Sequence, residues 1–229
     1  MRILLIMRVK SRNILLFILK LLTVVSSIGG VLISLFNAKL DGYSVWYKRT
    51  YYFTAQSNVW LGLTFLIILI NRSNRLKDKL YILKFIFTVS ISVTAIVFCT
   101  ILAPFADQSY HVWSLSGILT HVVSPTTALT DYFLDDYKIK FKKHTPFLAV
   151  LPPLIYLVCV SIMHLLNVDF GRGQTFPYFF LNFSSPAGIF GFSNQAPFYV
   201  GVFYWVIILS LFVLLISFTF SKIKNRKKT

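Results

Sequence analysis

The chain has 229 residues, with 23 Lys and Arg against seven Asp and no Glu, a formal charge of +16. Yet 56% of it is hydrophobic, 17% is aromatic and only 13% is charged. A soluble nucleic-acid binder of this charge would carry more polar residues, and a disordered basic chain would not hold so much apolar content. Both facts fit an all-α polytopic membrane protein whose charges sit at the membrane edges.

A bilayer core of about 30 Å needs about 20 apolar residues per helix. Taken in chain order, six stretches meet this: 14–36, 50–70, 82–103, 112–134, 147–167 and 198–220. The first follows a basic segment and is longer than the apolar stretch of a signal peptide. Ser26 to Gly30 resembles a cleavage site only loosely, so an uncleaved first helix is expected. Met7 offers a second possible start. The second stretch is interrupted by Thr54, Gln56, Ser57 and Asn58, the fourth by a series of Ser, Thr, His and Asp residues. Their lengths still suit spans, whereas a barrel would need short alternating segments. Between the fifth and sixth lies a segment, 168–197, dominated by Phe and Tyr and broken by Gly and Pro. Such a segment is expected to lie across the mouth of the bundle or to dip into it. No internal repeat or soluble domain is evident, so residues 1–229 read as a single transmembrane domain.

Basic residues alternate between loops. The N-terminal segment, the second-to-third and fourth-to-fifth loops and the tail hold 17 of them, and the remaining loops hold four. This bias predicts six spans with both termini cytoplasmic. Lys20 and Lys84, near the cytoplasmic ends of their helices, are expected to snorkel to the surface. Abundant Lys, Ile and Phe suit a bacterium with an AT-rich genome, and hence a bacterial plasma membrane. Cys99 and Cys159 fall inside apolar runs and are expected to be small buried side chains.

His121 lies roughly 13 Å below the outer end of the fourth stretch at 1.5 Å per residue. Ionisable residues at such depth usually face a bundle interior or a cavity. Ser114, Gly117, His121, Ser124, Ala128 and Asp131 form one stripe of small and polar side chains. The stripe suits a site, and equally a packing seam with His121 bonded across it. Pro125 lacks an N–H and frees the carbonyl of His121. In the second stretch Thr54, Ser57 and Asn58 share a helix face. A Thr or Ser nucleophile needs a base within reach, which requires the second and fourth helices to touch. Asp131, Asp135 and Asp136 are expected to pair with nearby lysines. His111, His164, Asp41, Asp107 and Asp169 fall near the outer side without metal-ligand spacing, and His144 lies in a basic loop. No phosphate-binding glycine motif, CxxC, GxSxG or nucleotide fingerprint occurs, so no cofactor or metal is expected.

Three motifs carry a likeness to a known family: YFTAQSN with Thr54, LTHVVSP followed by TD with His121, Pro125 and Asp131, and TFPYFFLNF with Pro177 and Tyr178. Across nearly its whole length the chain resembles the androgen-induced-protein family of six-helix membrane proteins and its bacterial relatives. Characterised animal members hydrolyse fatty-acid esters of hydroxy fatty acids with a Thr and His pair. The resemblance implies Thr54 as nucleophile and His121 as general base. Ser57, Asn58, Ser124 and Tyr178 are expected to bind the substrate beside this pair. Relatives often carry an acidic residue near the end of the third motif, where this chain has Asn182.

The expected function is thus intramembrane hydrolysis of a lipid ester, with membrane lipids as partners and no nucleic acid. A non-catalytic protein that binds or transports a lipid or small molecule is the alternative, and a zinc-dependent hydrolase a third.

Overall fold

The computed structural model describes residues 2–71, 73–105, 112–139, 141–171 and 173–226, with side chains from Ser11 onward. Among these the fold is all-helical, with no β-strand. The α-helices are α1 (Arg2–Phe36), α2 (Phe53–Ile70), α3 (Lys77–Val97), α4 (Leu115–Ile118), α5 (Ser124–Leu134), α6 (Thr145–Leu148), α7 (Leu151–Leu165) and α8 (Val202–Arg226). A π-helical turn, Phe98–Leu102, prolongs α3, and a second, Leu119–Val123, joins α4 to α5. Five helical segments are long and apolar enough to cross a membrane: Ser11–Phe36, Phe53–Ile70, Asn74–Phe105, Thr145–Leu165 and Val202–Arg226. Several long apolar helices are what a polytopic integral membrane protein requires.

The helical segment 115–134 is continuous and begins three residues later than expected, and it is too polar to join the five. Its surroundings explain its composition. It packs against α1, α2 and α3, and turns Gly117, Thr120, His121, Ser124, Ala128 and Asp131 inward, so protein rather than lipid meets its polar face. Ser114, the first residue of the stripe, caps α4 by accepting from the amide of Gly117 at 3.2 Å. The register change follows from Pro125. With no proline N–H to bond His121, the ladder is broken, and the amide of Ser124 reaches back to the carbonyl of Leu119.

Helix α3 is central and buries residues around most of its circumference, among them Leu80, Phe85, Val89, Ile91, Val93 and Val97. Helices α1 and α2 close on one another through Gly62, whose missing side chain leaves room for Ser27 and Ile28. Helix α8 packs on α3, and α7 touches α2. Helix α7 ends where Asn167 takes a left-handed conformation (φ 54°), a helix stop that Asn tolerates.

Two expectations about single residues are overturned. Cys99 and Cys159 are exposed on the outside of the bundle, because a helix within lipid presents apolar side chains outward as well as inward. Lys20 and Lys84 do not snorkel. They turn into the bundle, where carboxylates on the polar helix offer charge-assisted bonds. Lys20 Nζ donates to Asp131 at 2.6 Å and lies 3.4 Å from Asp135. Lys84 Nζ donates to Asp135 at 2.8 Å and also pairs with Asp131. The Tyr81 hydroxyl donates to Asp135 at 2.7 Å, and Lys224 of α8 caps the end of α5 by donating to the carbonyls of Tyr132 and Asp135. Residues from α1, α3, α5 and α8 thus meet at one end of the bundle, which may be called the basic end; Arg12 pairs with Asp136 there as well.

The aromatic segment covers the opposite end. Phe170, Phe180, Leu181 and Ala187 are buried on the helices, whereas Phe190 and Phe192 stay exposed. Gly171 (φ 120°) lies so close to the Tyr43 ring that a Cβ there would sit 2.4 Å from it. Lys48 reaches across to donate to Asp169 at 2.6 Å. Arg172, Asp107 and His111 lie outside the described residues.

Candidate active site

Thr54 sits in the first turn of α2, where helix amides have no intrahelical acceptor. One such amide, its own, donates to the Tyr178 hydroxyl at 3.3 Å. Tyr178 is held by its neighbours: it stacks on Phe180 with centroids 5.1 Å apart and meets Tyr52 edge-on at 5.7 Å. The aromatic segment is thereby fixed over the start of α2.

His121 lies in the π-helical turn between α4 and α5 and is only 6% exposed. Its ring stacks flat on Phe98, centroids 3.6 Å apart and planes within 5°. Phe98 belongs to the other π-helical turn, so two such turns, each a common feature of functional sites, face one another through these rings. His121 Nδ1 is buried and has no hydrogen-bond partner within the protein. A neutral imidazole has one donor and one acceptor nitrogen, so this atom retains a hydrogen-bonding capacity that the fold does not use.

Thr54, His121 and Tyr178 line one cavity of about 300 Å³ near the aromatic segment. Its walls come from α1, the starts of α2 and α4, the π-helical end of α3 and residues 174–179. The two residues singled out on separate helices therefore border one chamber, and α2 contacts the π-helical turn that carries His121, while no hydrogen bond joins the Thr54 hydroxyl to the imidazole. A hydroxyl, an imidazole and a phenol bordering one cavity are a chemical set suited to acyl transfer.

The other predicted binding residues fall elsewhere. Ser57 is 2% exposed, donates to the Thr54 carbonyl at 3.2 Å and bonds Thr94 of α3 at 3.2 Å. Asn58 is fully buried; its amide donates to the carbonyl of Thr54 at 2.9 Å and to that of Thr120 at 3.3 Å. Ser124 is fully buried, with no partner for its hydroxyl within the protein. These three lie within helix interfaces, and none borders the cavity. Asn58 instead links the turn that carries Thr54 to the residue preceding His121.

Sequence reasoning passed over Phe98, for which a lone Phe in an apolar run gives no signal. It also missed the inward turn of Lys20 and Lys84, for which there was a signal: two lysines and two aspartates at matching depth on neighbouring spans are natural partners. His164 lies in the last turn of α7, its Nδ1 3.5 Å from the Thr175 carbonyl, and His144 precedes α6. Among the described residues no three His, Cys, Asp or Glu side chains are grouped to hold a metal ion.

In the aromatic segment Asp169 is held below the ordinary carboxylate range, first by the hydrogen bond from Lys48 and then by that from the Gly171 amide. Comparison with protein-family models, with curated proteins and with solved structures finds no match to this chain.

Proposed function

We propose that the protein is an intramembrane hydrolase that cleaves a lipid ester with Thr54 as nucleophile and His121 as general base. The carrying observation is that both residues border the same cavity, with a His121 ring nitrogen left without a protein partner. The likeness of the YFTAQSN, LTHVVSP and TFPYFFLNF motifs to the androgen-induced-protein family supports the same pair.

In this reading the segment 115–134, roughly 30 Å long at 1.5 Å per residue, is a sixth span shielded from lipid by its neighbours. The charge bias between loops puts both termini in the cytoplasm and the cavity toward the outer leaflet. The Thr54 oxygen attacks the ester carbonyl as His121 takes its proton. The tetrahedral intermediate collapses, and the departing alcohol receives that proton from His121. A water molecule, deprotonated by His121, then attacks the acyl-Thr54 ester; the acid leaves and the Thr54 hydroxyl is restored. Phe98 holds the imidazole by stacking, and Tyr178 borders the reacting centre.

The test is labelling by a fluorophosphonate probe, alongside hydrolysis of a panel of fatty-acyl esters. Thr54→Ala and His121→Ala should each abolish both, with folding checked by thermal melting. Labelling that persists in both variants removes the assignment. Lipid recovered intact with purified protein, and no turnover of any ester, would return the chain to the binding or transport alternative.

A further inference from the structure

A second cavity, of about 100 Å³, lies between α2, α3, α7 and α8. Its character is unlike that of the first. Val93, Val97, Leu157, Leu209 and Val213 supply walls, and no charged side chain borders it. The Thr94 hydroxyl, one of its few polar groups, is already donated to the Ser90 carbonyl at 3.0 Å. The two cavities are adjacent: Thr54, Leu102 and Tyr178 line both. Leu154 of α7 borders the second cavity and is also 41% exposed on the outside of the bundle, so the cavity lies close to the surface there.

We infer that the second cavity holds the start of an alkyl chain belonging to a lipid whose polar part occupies the first cavity. The inference deepens the hydrolase reading and rests on it for the identity of the bond at the junction. Apart from a few hydroxyls, those of Tyr156 and Ser210 among them, this cavity offers a hydrated ligand little, whereas an alkyl chain loses no hydrogen bonds there. The junction at Thr54 puts the change from polar to apolar where an ester carbonyl lies between head and chain. The volume sets how much chain fits. A cavity of about 150 Å³ takes up the six carbons of benzene, so this one holds roughly four carbons by proportion. The remainder of a long chain leaves between α7 and α8 into the bilayer. Bulk close to the carbonyl should therefore be rejected while long unbranched tails are accepted.

The experiment reads occupancy and needs no turnover. Thr54→Ala protein in lipid nanodiscs is irradiated with a fatty acid carrying a diazirine within its first few carbons, and the adducts are mapped by mass spectrometry. Adducts on Val97, Leu157 and Val213 are expected. Val213→Trp, and Leu157→Trp from the facing wall, should lower them by about tenfold, the factor for withholding roughly two buried methylenes. The second variant, and the map of the protein without either, keep the result readable if one substitution impairs folding. Adducts confined to outward residues such as Ile155 and Leu211, or unchanged by both tryptophans, overturn the inference. Adducts in the cavity with no ester turnover by the unaltered protein would sink the hydrolase and leave the chain site standing. Turnover without cavity adducts would do the reverse.

Discussion

Replacing Asp131 by Asn probes what holds the polar helix inside the bundle. Asp131 is fully buried and Lys84 is 1% exposed; with Lys20 and Asp135 they make a compact set of two cations and two carboxylates. Asp131→Asn leaves both lysines to share Asp135. Removing one member of a buried pair costs about 3–5 kcal/mol, most of it the burden of the stranded charge. For a chain of this size that corresponds to a fall in melting temperature of roughly 6–20 °C. Lys84→Met should cost a similar amount, because it leaves Asp131 and Asp135 to share Lys20. The double variant is the decisive one. It retains Lys20 and Asp135, 3.4 Å apart and opposite in charge, so its loss should fall short of the sum of the single losses by about 2 kcal/mol. Reversible unfolding in mixed micelles gives all three values. Additive losses, or an Asp131→Asn cost under about 1 kcal/mol, would refute the argument that these charges are coupled.

Two further outcomes are expected. Gly29 and Gly30 are adjacent in α1 but should respond with opposite signs. A Cβ at Gly30 would meet Thr120 Cγ2 at 2.8 Å and Leu119 Cβ at 2.9 Å, so Gly30→Ala should destabilise by about 1–3 kcal/mol and lower any activity that depends on His121. A Cβ at Gly29 meets nothing within 4 Å, so Gly29→Ala should stabilise by about 0.5–1 kcal/mol; equal effects in thermal melts would contradict the packing described. Asp169 should make the aromatic segment acid-sensitive. Its carboxyl is held lower in the folded state than in an unfolded chain, so its stabilising contribution is complete above the ordinary carboxylate range and is lost as the pH falls through the folded-state value. Protection of the Gly171 amide, measured against its intrinsic exchange rate at each pH, should fall over that interval, and Asp169→Asn should remove this dependence; an unchanged profile in the variant would contradict it.

Much of the helix plan was legible because apolar run length is a direct consequence of bilayer thickness. The least apolar stretch, 112–134, was legible by length alone, since its composition answers to α1, α2 and α3 instead of to lipid. Thr54 and His121 stood out as polar residues in apolar surroundings, but their common cavity depends on how α2 meets the π-helical turn, which no local pattern encodes. Ser57 and Asn58 share the face of Thr54, yet they are spent on Thr94 and Thr120 of other helices. A residue's depth can be counted along a helix; the direction in which it points cannot, and Lys20 and Lys84 were misread for that reason.

The buried ion pairs also impose an order on assembly. Lys20 and Lys84 arrive with α1 and α3, whereas both of their carboxylates arrive later, with α5 and the residue that ends it. A charged side chain costs about 2.5–3.5 kcal/mol to insert at the centre of a span by translocon measurements, and less toward its ends. During synthesis the first three helices therefore carry two uncompensated cations, free to seek lipid phosphates or water. The arrival of Asp131 and Asp135 withdraws them from the interface and fixes α1 and α3 in register. The polar helix is in this sense a keystone: less apolar than the five long apolar helices, and the one whose arrival locks its predecessors.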